Sequence, residues 1–208
     1  DAETEKRGDM NDSKETHLNA LAEEVRNLEN TPLAEYRREN GYQSVFGEGD
    51  ADAKIMFIGE APGAQEAETG RPFVGAAGQV LDDLLASIGL DREAVYITNV
   101  VKDRPPDNRD PRKAEIERYA PFLRQQIEII QPRVIATLGR FAMTFILKTF
   151  DLPHKGEKIG DLHGQILRAE TSYDSVAVVP LYHPAAVFYN RGLQETLEKD
   201  FEVLRRFE

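Results

Sequence analysis

Four short apolar runs that alternate with helical patterns constrain the fold of this chain most strongly. The runs at residues 54–58, 95–98, 134–138 and 176–181 have the length and composition of fully buried strands. Strands that alternate with helices form a mainly parallel sheet with helices on both faces. The sequence therefore predicts an α/β fold, a three-layer α/β/α sandwich around a central four-stranded, mainly parallel sheet.

The remaining segments complete this prediction. Helices are expected at residues 76–89, 113–130, 140–150 and 193–207, with Pro121 bending or interrupting the second. The other expected features are a disordered acidic arm at 1–16, a helix from His17 that ends at 30–32, an irregular stretch at 36–49 and a short edge strand at 165–168. Residues 17–208 are expected to form a single domain.

Polar residues follow the predicted strands where an open α/β sheet binds its ligands, outside the carboxyl ends. Glu60 lies in a Gly/Pro loop after the first strand, Asn99 follows the second and His183 the fourth. An Asn amide can pair with the edge of a planar base, and a His can donate to a developing anion. Phe73 is either a core residue or a stacking platform for a base. Each of these residues also has a plain structural alternative. Glu60 taken alone is equally a solvated side chain of the loop, and Asn99 and His183 taken alone are equally structural residues.

Composition excludes several kinds of chemistry. The chain has no cysteine, which excludes disulfides, thiolate zinc sites, cysteine nucleophiles and thiolate-held iron–sulfur clusters. Its four histidines lack the spacing of a zinc protease, so a metal site is not expected. We find no apolar run of membrane-spanning length and no secretory leader, and expect an intracellular, soluble protein.

Net charge alone does not decide whether the partner is a nucleic acid. The formal charge of −11 argues against it, but residues 99–140 carry nine basic and six acidic side chains, a local balance of +3. A small set of Lys and Arg contacts is enough to bind a phosphate backbone.

Several strings, in this order, resemble the family 4 uracil-DNA glycosylases over nearly all of residues 18–207. They are VFGEG at 45–49, GEAPGAQE at 59–66, TGRPFVGAAGQ at 69–79, YITNVVK at 96–102, RPPDNRDP at 104–111 and HPAA at 183–186. The resemblance implies a DNA repair enzyme that flips uracil out of DNA and hydrolyses its N-glycosidic bond. It also implies a monofunctional enzyme that leaves an abasic site.

The resemblance also implies residue roles. Glu60 would position the attacking water and stabilise positive charge on the sugar, and Phe73 would stack on the uracil. Asn99 would read the O4 and N3–H edge, and His183 would stabilise negative charge on the departing base. Further contacts with the base are implied for Gly59, Ala61, Gly63, Glu66 and Asn108. Contacts with DNA are implied for Arg104, Arg109, Pro184, Ala185, Ala186 and Arg191, with residues 185–189 near the minor groove.

The chain departs from its family at the iron–sulfur ligands. Four cysteines hold a [4Fe–4S] cluster in the family, and the matching positions here are Leu28, Thr31, Asp103 and Tyr119. None of these can supply a thiolate, so we predict that the chain binds no cofactor. Ala67, where an acidic residue is common, is a minor departure. No His follows the segment after Lys102, so covalent bonding to abasic DNA is not expected.

The sequence thus predicts a monomeric uracil-DNA glycosylase that acts on uracil-containing DNA in a prokaryotic cytoplasm and releases free uracil. Two alternatives remain. One is a member that binds DNA or uracil but has little or no turnover, although a binding protein needs no water-positioning carboxylate. The other is a glycosylase shifted to deaminated purines.

Overall fold

The computed structural model describes residues 2–207, and within them the strands form one six-stranded sheet in the order β1-β3-β2-β4-β6-β5. The strands are β1 Glu48–Gly49, β2 Ile55–Gly59, β3 Tyr96–Asn99, β4 Val134–Leu138, β5 Leu167–Glu170 and β6 Ser175–Leu181. The four central strands are parallel, which confirms the predicted sheet. Two short antiparallel strands, β1 and β5, extend its edges. Only β5 was expected, because the two residues of β1 give no apolar pattern.

Helices precede, connect and follow these strands. They are α1 Ala2–Arg26, α2 Pro32–Asn40, α3 Ala64–Thr69, α4 Ala76–Ser87, α5 Lys113–Ile130, α6 Arg140–Thr149, α7 Ile159–Leu162, α8 Ala186–Tyr189 and α9 Leu193–Glu202. Short 3-10 helices lie at Arg92–Ala94, Pro106–Asn108 and Val203–Phe207. Pro121 lies inside α5 and does not end it. Between residues 2 and 207, we find no helix both long and apolar enough to cross a membrane.

The structure differs from the prediction at the N-terminal end. Helix α1 includes residues 2–16, which the sequence predicts to be a disordered arm. Glu, Lys and Arg, which favour helix even without an apolar face, make up six of residues 2–16. A tertiary contact adds to this preference, since the Lys14 ammonium donates to the Asp52 carboxylate at 2.6 Å and to the Ile130 carbonyl at 3.2 Å.

Helix α2 was not predicted, because residues 30–32 were interpreted only as the end of a helix. The Thr31 hydroxyl accepts a hydrogen bond from the Ala34 amide at 3.3 Å and caps the new helix. Pro32 occupies the first helical position, where its missing N–H costs nothing. Helix α1 itself ends earlier, at Arg26, so residues 31 and 32 begin α2 but do not end α1.

The two faces of the sheet have separate apolar cores, as expected for three layers. On β2, Met56 and Ile58 belong to the core that includes residues of α1, α2, α5 and α6. Ile55 and Phe57 belong to the core with α4 and α9. The sheet is thus covered on both sides, and its carboxyl edge is left for a binding site.

Candidate active site

A cavity of about 550 Å³ lies at the carboxyl edge of the central strands. The structure brings together the four side chains assigned to chemistry, because Glu60, Phe73, Asn99 and His183 all line it. Other predicted residues in its lining are Ala61, Gly63, Glu66, Asn108, Arg109, Ala185 and Ala186. Gly59, Arg104, Pro184 and Arg191 are not part of the lining.

Gly59 lies directly beneath this lining, at the end of β2. A Cβ atom at Gly59 would lie 2.4 Å from Asn99 Oδ1 and 2.6 Å from Phe73 Cζ, which is closer than atoms can approach. Gly59 also pairs in register with Asn99 on β3. A glycine is therefore needed here because the amide and the phenyl ring occupy the space of a side chain.

The Asn99 side chain is held ready for a ligand. It is only 2% exposed, and its Oδ1 atom has no hydrogen-bond partner among the described residues. A buried acceptor without a donor costs about 1–3 kcal/mol. A ligand that brings an N–H group to this oxygen would remove that cost.

A fully buried lysine holds the backbone at Asn99. The Lys102 ammonium donates to the Asn99 carbonyl at 2.6 Å, to the Thr98 hydroxyl at 2.7 Å and to Gln126 Oε1 at 2.5 Å. Burial lowers the pKa of Lys102 well below its ordinary value. Lys102 does not line the cavity, so its contribution is to fix the end of β3.

His183 presents a neutral donor to the cavity. The Ala185 amide donates to His183 Nδ1 at 3.1 Å, which assigns the proton of the neutral ring to Nε2. Burial lowers the pKa of His183 to about 4, although the Glu66 carboxylate acts in the opposite direction. The ring is therefore uncharged at neutral pH. Its centroid lies 5.6 Å from that of Phe73.

Glu60 titrates near neutrality. Burial, together with the charge of Asp110, raises its pKa to about 7, while the Arg140 guanidinium acts in the opposite direction. Arg140 also lies 3.5 Å from the Asp110 carboxylate. Asp110 lines the cavity but was not singled out from the sequence, although it belongs to the matching string at 104–111.

Glu66 connects the two loops that form one wall of the cavity. Its carboxylate accepts hydrogen bonds from the backbone amides of Gly63 at 3.0 Å, Val74 at 3.0 Å and Gly75 at 2.7 Å. The loop that carries Glu60 is thereby fixed relative to the segment that carries Phe73.

Phe73 has a strained backbone that a second residue supports. Its φ of 47° lies in the left-handed region, which costs a non-glycine residue about 1–3 kcal/mol. The Arg92 guanidinium donates to the Phe73 carbonyl at 2.9 Å and also to the Pro72 carbonyl. The carboxylates of Asp82, at 2.8 Å, and Glu48, at 3.1 Å, hold this guanidinium in place. Nothing in the sequence pointed to Arg92.

We expect Arg92→Met to lower kcat/KM for a substrate that reacts in this cavity by about tenfold to a hundredfold. A small misplacement of a positioning group lowers the rate by this amount. Arg71→Met is the matched control, since Arg71 pairs with the same Glu48 but is largely exposed. Steady-state kinetics of both variants provides the measurement. Equal losses in the two variants would contradict a specific role for Arg92.

Two of the three predicted DNA-contact arginines order the loop after β3. Arg104 donates to Asn108 Oδ1 at 2.8 Å and to the Tyr42 hydroxyl at 3.1 Å. Arg109 forms two parallel hydrogen bonds with the Glu115 carboxylate, at 2.7 and 2.9 Å. Their contacts with DNA stay predictions, as do those of buried Pro184 and exposed Arg191.

Comparison with known proteins identifies the family. A model described as the uracil DNA glycosylase superfamily matches residues 46–205. The chain belongs to the uracil-DNA glycosylase superfamily. A type-4 uracil-DNA glycosylase of Archaeoglobus fulgidus is 50% identical over 160 residues, 77% of this chain and 79% of that protein. One of Saccharolobus solfataricus is 43% identical over 190 residues, 91% and 85% of the two chains. These relatives confirm the resemblance to family 4.

The residues of this superfamily member do not fit the cluster that its resemblance to family 4 implies. At the four positions, Leu28, Thr31, Asp103 and Tyr119 are all buried and offer an isobutyl group, two hydroxyls and a carboxylate. A [4Fe–4S] cluster requires thiolates. Instead, the Tyr119 hydroxyl donates to Asp103 Oδ2, and the Thr31 hydroxyl caps α2.

A buried arginine completes this polar network. Arg37 Nη1 lies 3.4 Å from Asp103 Oδ1, and Arg37 Nη2 donates to the Arg26 carbonyl at 3.0 Å. Burial raises the pKa of Asp103, while the hydrogen bond from Tyr119 and the charge of Arg37 act in the opposite direction. The Arg37–Asp103–Tyr119 network therefore joins α1, α2, the loop after β3 and α5.

Proposed function

We propose that this chain is a monofunctional uracil-DNA glycosylase that flips uracil out of DNA and hydrolyses its N-glycosidic bond, leaving an abasic site and free uracil. The unpaired Asn99 amide oxygen, in one cavity with Phe73, His183 and Glu60, carries the proposal. The names of the type-4 relatives support uracil as the base. Because one chain forms the cavity, we propose that the protein acts as a monomer. We also propose that it acts on DNA in the cytoplasm.

The polar edge of uracil fits the Asn99 amide. Asn99 Oδ1 accepts from N3–H, the donor that the empty acceptor requires, and the amide NH₂ donates to O4. Cytosine presents a donor and an acceptor in the reverse order. A fixed amide therefore rejects cytosine, because buried polar groups on both sides stay unpaired.

His183 and Glu60 stabilise opposite charges as the bond breaks. Negative charge develops on the uracil O2 and N1 side, where the His183 Nε2–H can donate. Positive charge develops on the sugar, where the ionised Glu60 carboxylate stabilises it and orients the attacking water. A neutral His183 donates without adding a charge that the buried site would have to solvate.

The exposed residues beside the cavity suit a flipped nucleotide. Flipping costs a few kcal/mol of stacking and pairing, and contacts with the opened duplex offset it. Tyr189 is 92% exposed and lines the cavity, and its neighbour Phe188 is 55% exposed. These aromatic rings can press on the DNA where the base has left.

Lyase activity is not part of the proposal. A glycosylase that also cleaves the strand uses an amine as a nucleophile. Lys102 does not line the cavity, and its Nζ atom donates hydrogen bonds to three acceptors. Among residues 2–207, no lysine lines the cavity. Strand breaks should therefore appear only after alkali.

The proposal is tested with an oligonucleotide that contains one uracil, followed by alkaline cleavage of abasic sites. We expect breaks at the uracil after alkali and none before it. Binding without breaks would instead favour the member without turnover. Breaks in DNA containing hypoxanthine or xanthine at an equal or higher rate would favour a glycosylase for deaminated purines.

Asn99→Ala should lower the rate of uracil excision by about 10²–10³-fold, the usual effect of removing one preorganised polar group from an active site. Asn40→Ala is the matched control. Asn40 does not line the cavity, and its exposed side chain donates only to the Tyr36 carbonyl. Single-turnover rates with uracil DNA give the comparison, and an equal loss in both variants would contradict base reading by Asn99.

A further inference from the structure

A second groove, of about 900 Å³, lies between α5 and α6. It begins at Pro111, the residue after Asp110, and Asp110 lines the active-site cavity. Arg140 lines the groove and reaches back to Asp110 at 3.5 Å. The groove therefore continues from the rim of the cavity along the side of the molecule.

The groove is positively charged although the chain is strongly acidic. Lys113, Arg124, Arg140 and Lys148 line it, and Glu117 is the single acidic residue in the described lining. The formal charge of the whole chain is −11. This concentration of cations favours a ligand that carries several negative charges.

Aromatic rings lie between these cations. Phe141 and Phe145 line the groove and are partly exposed. The guanidinium carbon of Arg140 lies 4.8 Å from the centre of the Phe141 ring, and that of Arg124 lies 5.8 Å from the Phe145 ring. Planar cations and rings on a basic surface are the combination that binds single-stranded nucleic acid, since phosphates and base faces are both recognised.

We propose that the α5–α6 groove binds the unpaired DNA strand on one side of the flipped nucleotide. The inference rests on the proposed function, because the flipped nucleotide fixes where the strand leaves the cavity. Lysine and arginine side chains would contact phosphates, while phenylalanine rings and guanidinium planes would stack on bases. The site would thus extend its contacts beyond the base that is removed.

The test uses Arg124→Glu combined with Lys148→Glu, since neither residue touches the cavity. The control combines Lys54→Glu with Arg133→Glu, exposed residues that precede β2 and β4 at the opposite edge of the sheet. Both double variants change the charge equally. Binding and excision are measured with single-stranded DNA carrying a central uracil, with versions shortened on the 5′ or the 3′ side, and with a trinucleotide with central uracil.

We expect the groove variant to bind the long strand about tenfold more weakly and to lose about 1.4 from the slope of log affinity against log salt, two phosphate contacts of about 0.7 each. The difference in affinity between the groove variant and the wild type should disappear when the strand is shortened on one side of the uracil, either 5′ or 3′. The control variant and the trinucleotide excision rate should be unchanged.

Two results would overturn the proposal. Equal losses with every substrate, or in both double variants, would indicate only a general charge effect. Unchanged DNA binding would indicate that the groove does not bind DNA and serves another partner, such as an acidic protein segment. Failure of the wild-type chain to excise uracil from any substrate would contradict the proposed function, whereas normal trinucleotide excision with no groove effect would contradict the groove alone.

Discussion

Glu60→Gln is expected to lower the single-turnover rate of uracil excision by about 10²–10⁴-fold, the usual effect of losing a general base or its charge. The amide keeps the shape of the side chain but cannot carry the negative charge that stabilises the sugar. Binding of uracil-containing DNA should change little, because Asn99 and Phe73 still contact the base. A variant that keeps most of its rate would contradict the role proposed for Glu60.

The pH dependence of the rate provides a sharper test of the same residue. The pKa of Glu60 is raised to about 7, and the ionised form is the one proposed to be active. The wild-type rate should therefore rise with pH below about 7 and become level above it. His183, with a pKa of about 4, stays neutral throughout this range and should not contribute.

Neighbouring charges should move this midpoint in opposite directions. Asp110→Asn removes a charge that raises the pKa of Glu60, so the midpoint should move to lower pH. Arg140→Met removes a charge that lowers the pKa, so the midpoint should move to higher pH. A midpoint near 7 that persists in Glu60→Gln would show that another group titrates.

Arg37→Met is expected to lower the free energy of unfolding by about 3–5 kcal/mol, because it leaves the buried Asp103 carboxylate without a countercharge. Chemical denaturation monitored by circular dichroism gives this value. Arg26→Met is the matched control, since Arg26 pairs with Glu23 on the exposed surface, where an ion pair contributes little to stability.

A double variant separates charge from packing in this network. Asp103→Asn still accepts the hydrogen bond from Tyr119 but needs no cation. Combined with Arg37→Met, it should recover part of the lost stability. No recovery would mean that Arg37 stabilises the fold mainly through its hydrogen bonds to the carbonyls of Val25 and Arg26.

The sequence predicted the elements whose cause is local. The four central strands follow from continuous apolar runs, and the convergence of Glu60, Asn99 and His183 follows from the edge of the sheet at which parallel strands end. Helix α2 was missed because Thr31 and Pro32 are signals for both an end and a beginning.

Features that depend on distant residues could not be predicted. Arg92 supports Phe73 from 19 positions along the chain, and the pKa of Glu60 depends on burial and on two charged groups in other segments. The sequence indicated that Leu28, Thr31, Asp103 and Tyr119 cannot hold iron. It could not reveal that Tyr119 and Asp103 are hydrogen-bonded to each other beside Arg37, which depends on how α2, α5 and the loop after β3 pack.

The absence of a side chain at Gly59 separates affinity for DNA from base preference, two properties that could otherwise change together. Gly59 and Asn99 are register partners on adjacent strands, so the spacing between the cavity floor and the reading amide is set by the strand separation of about 4.8 Å. We therefore expect mutations in the surrounding loops to change the affinity for DNA while the preference for uracil stays constant. On the role proposed for Asn99, a new base preference would require a change of this side chain or of the strands that place it.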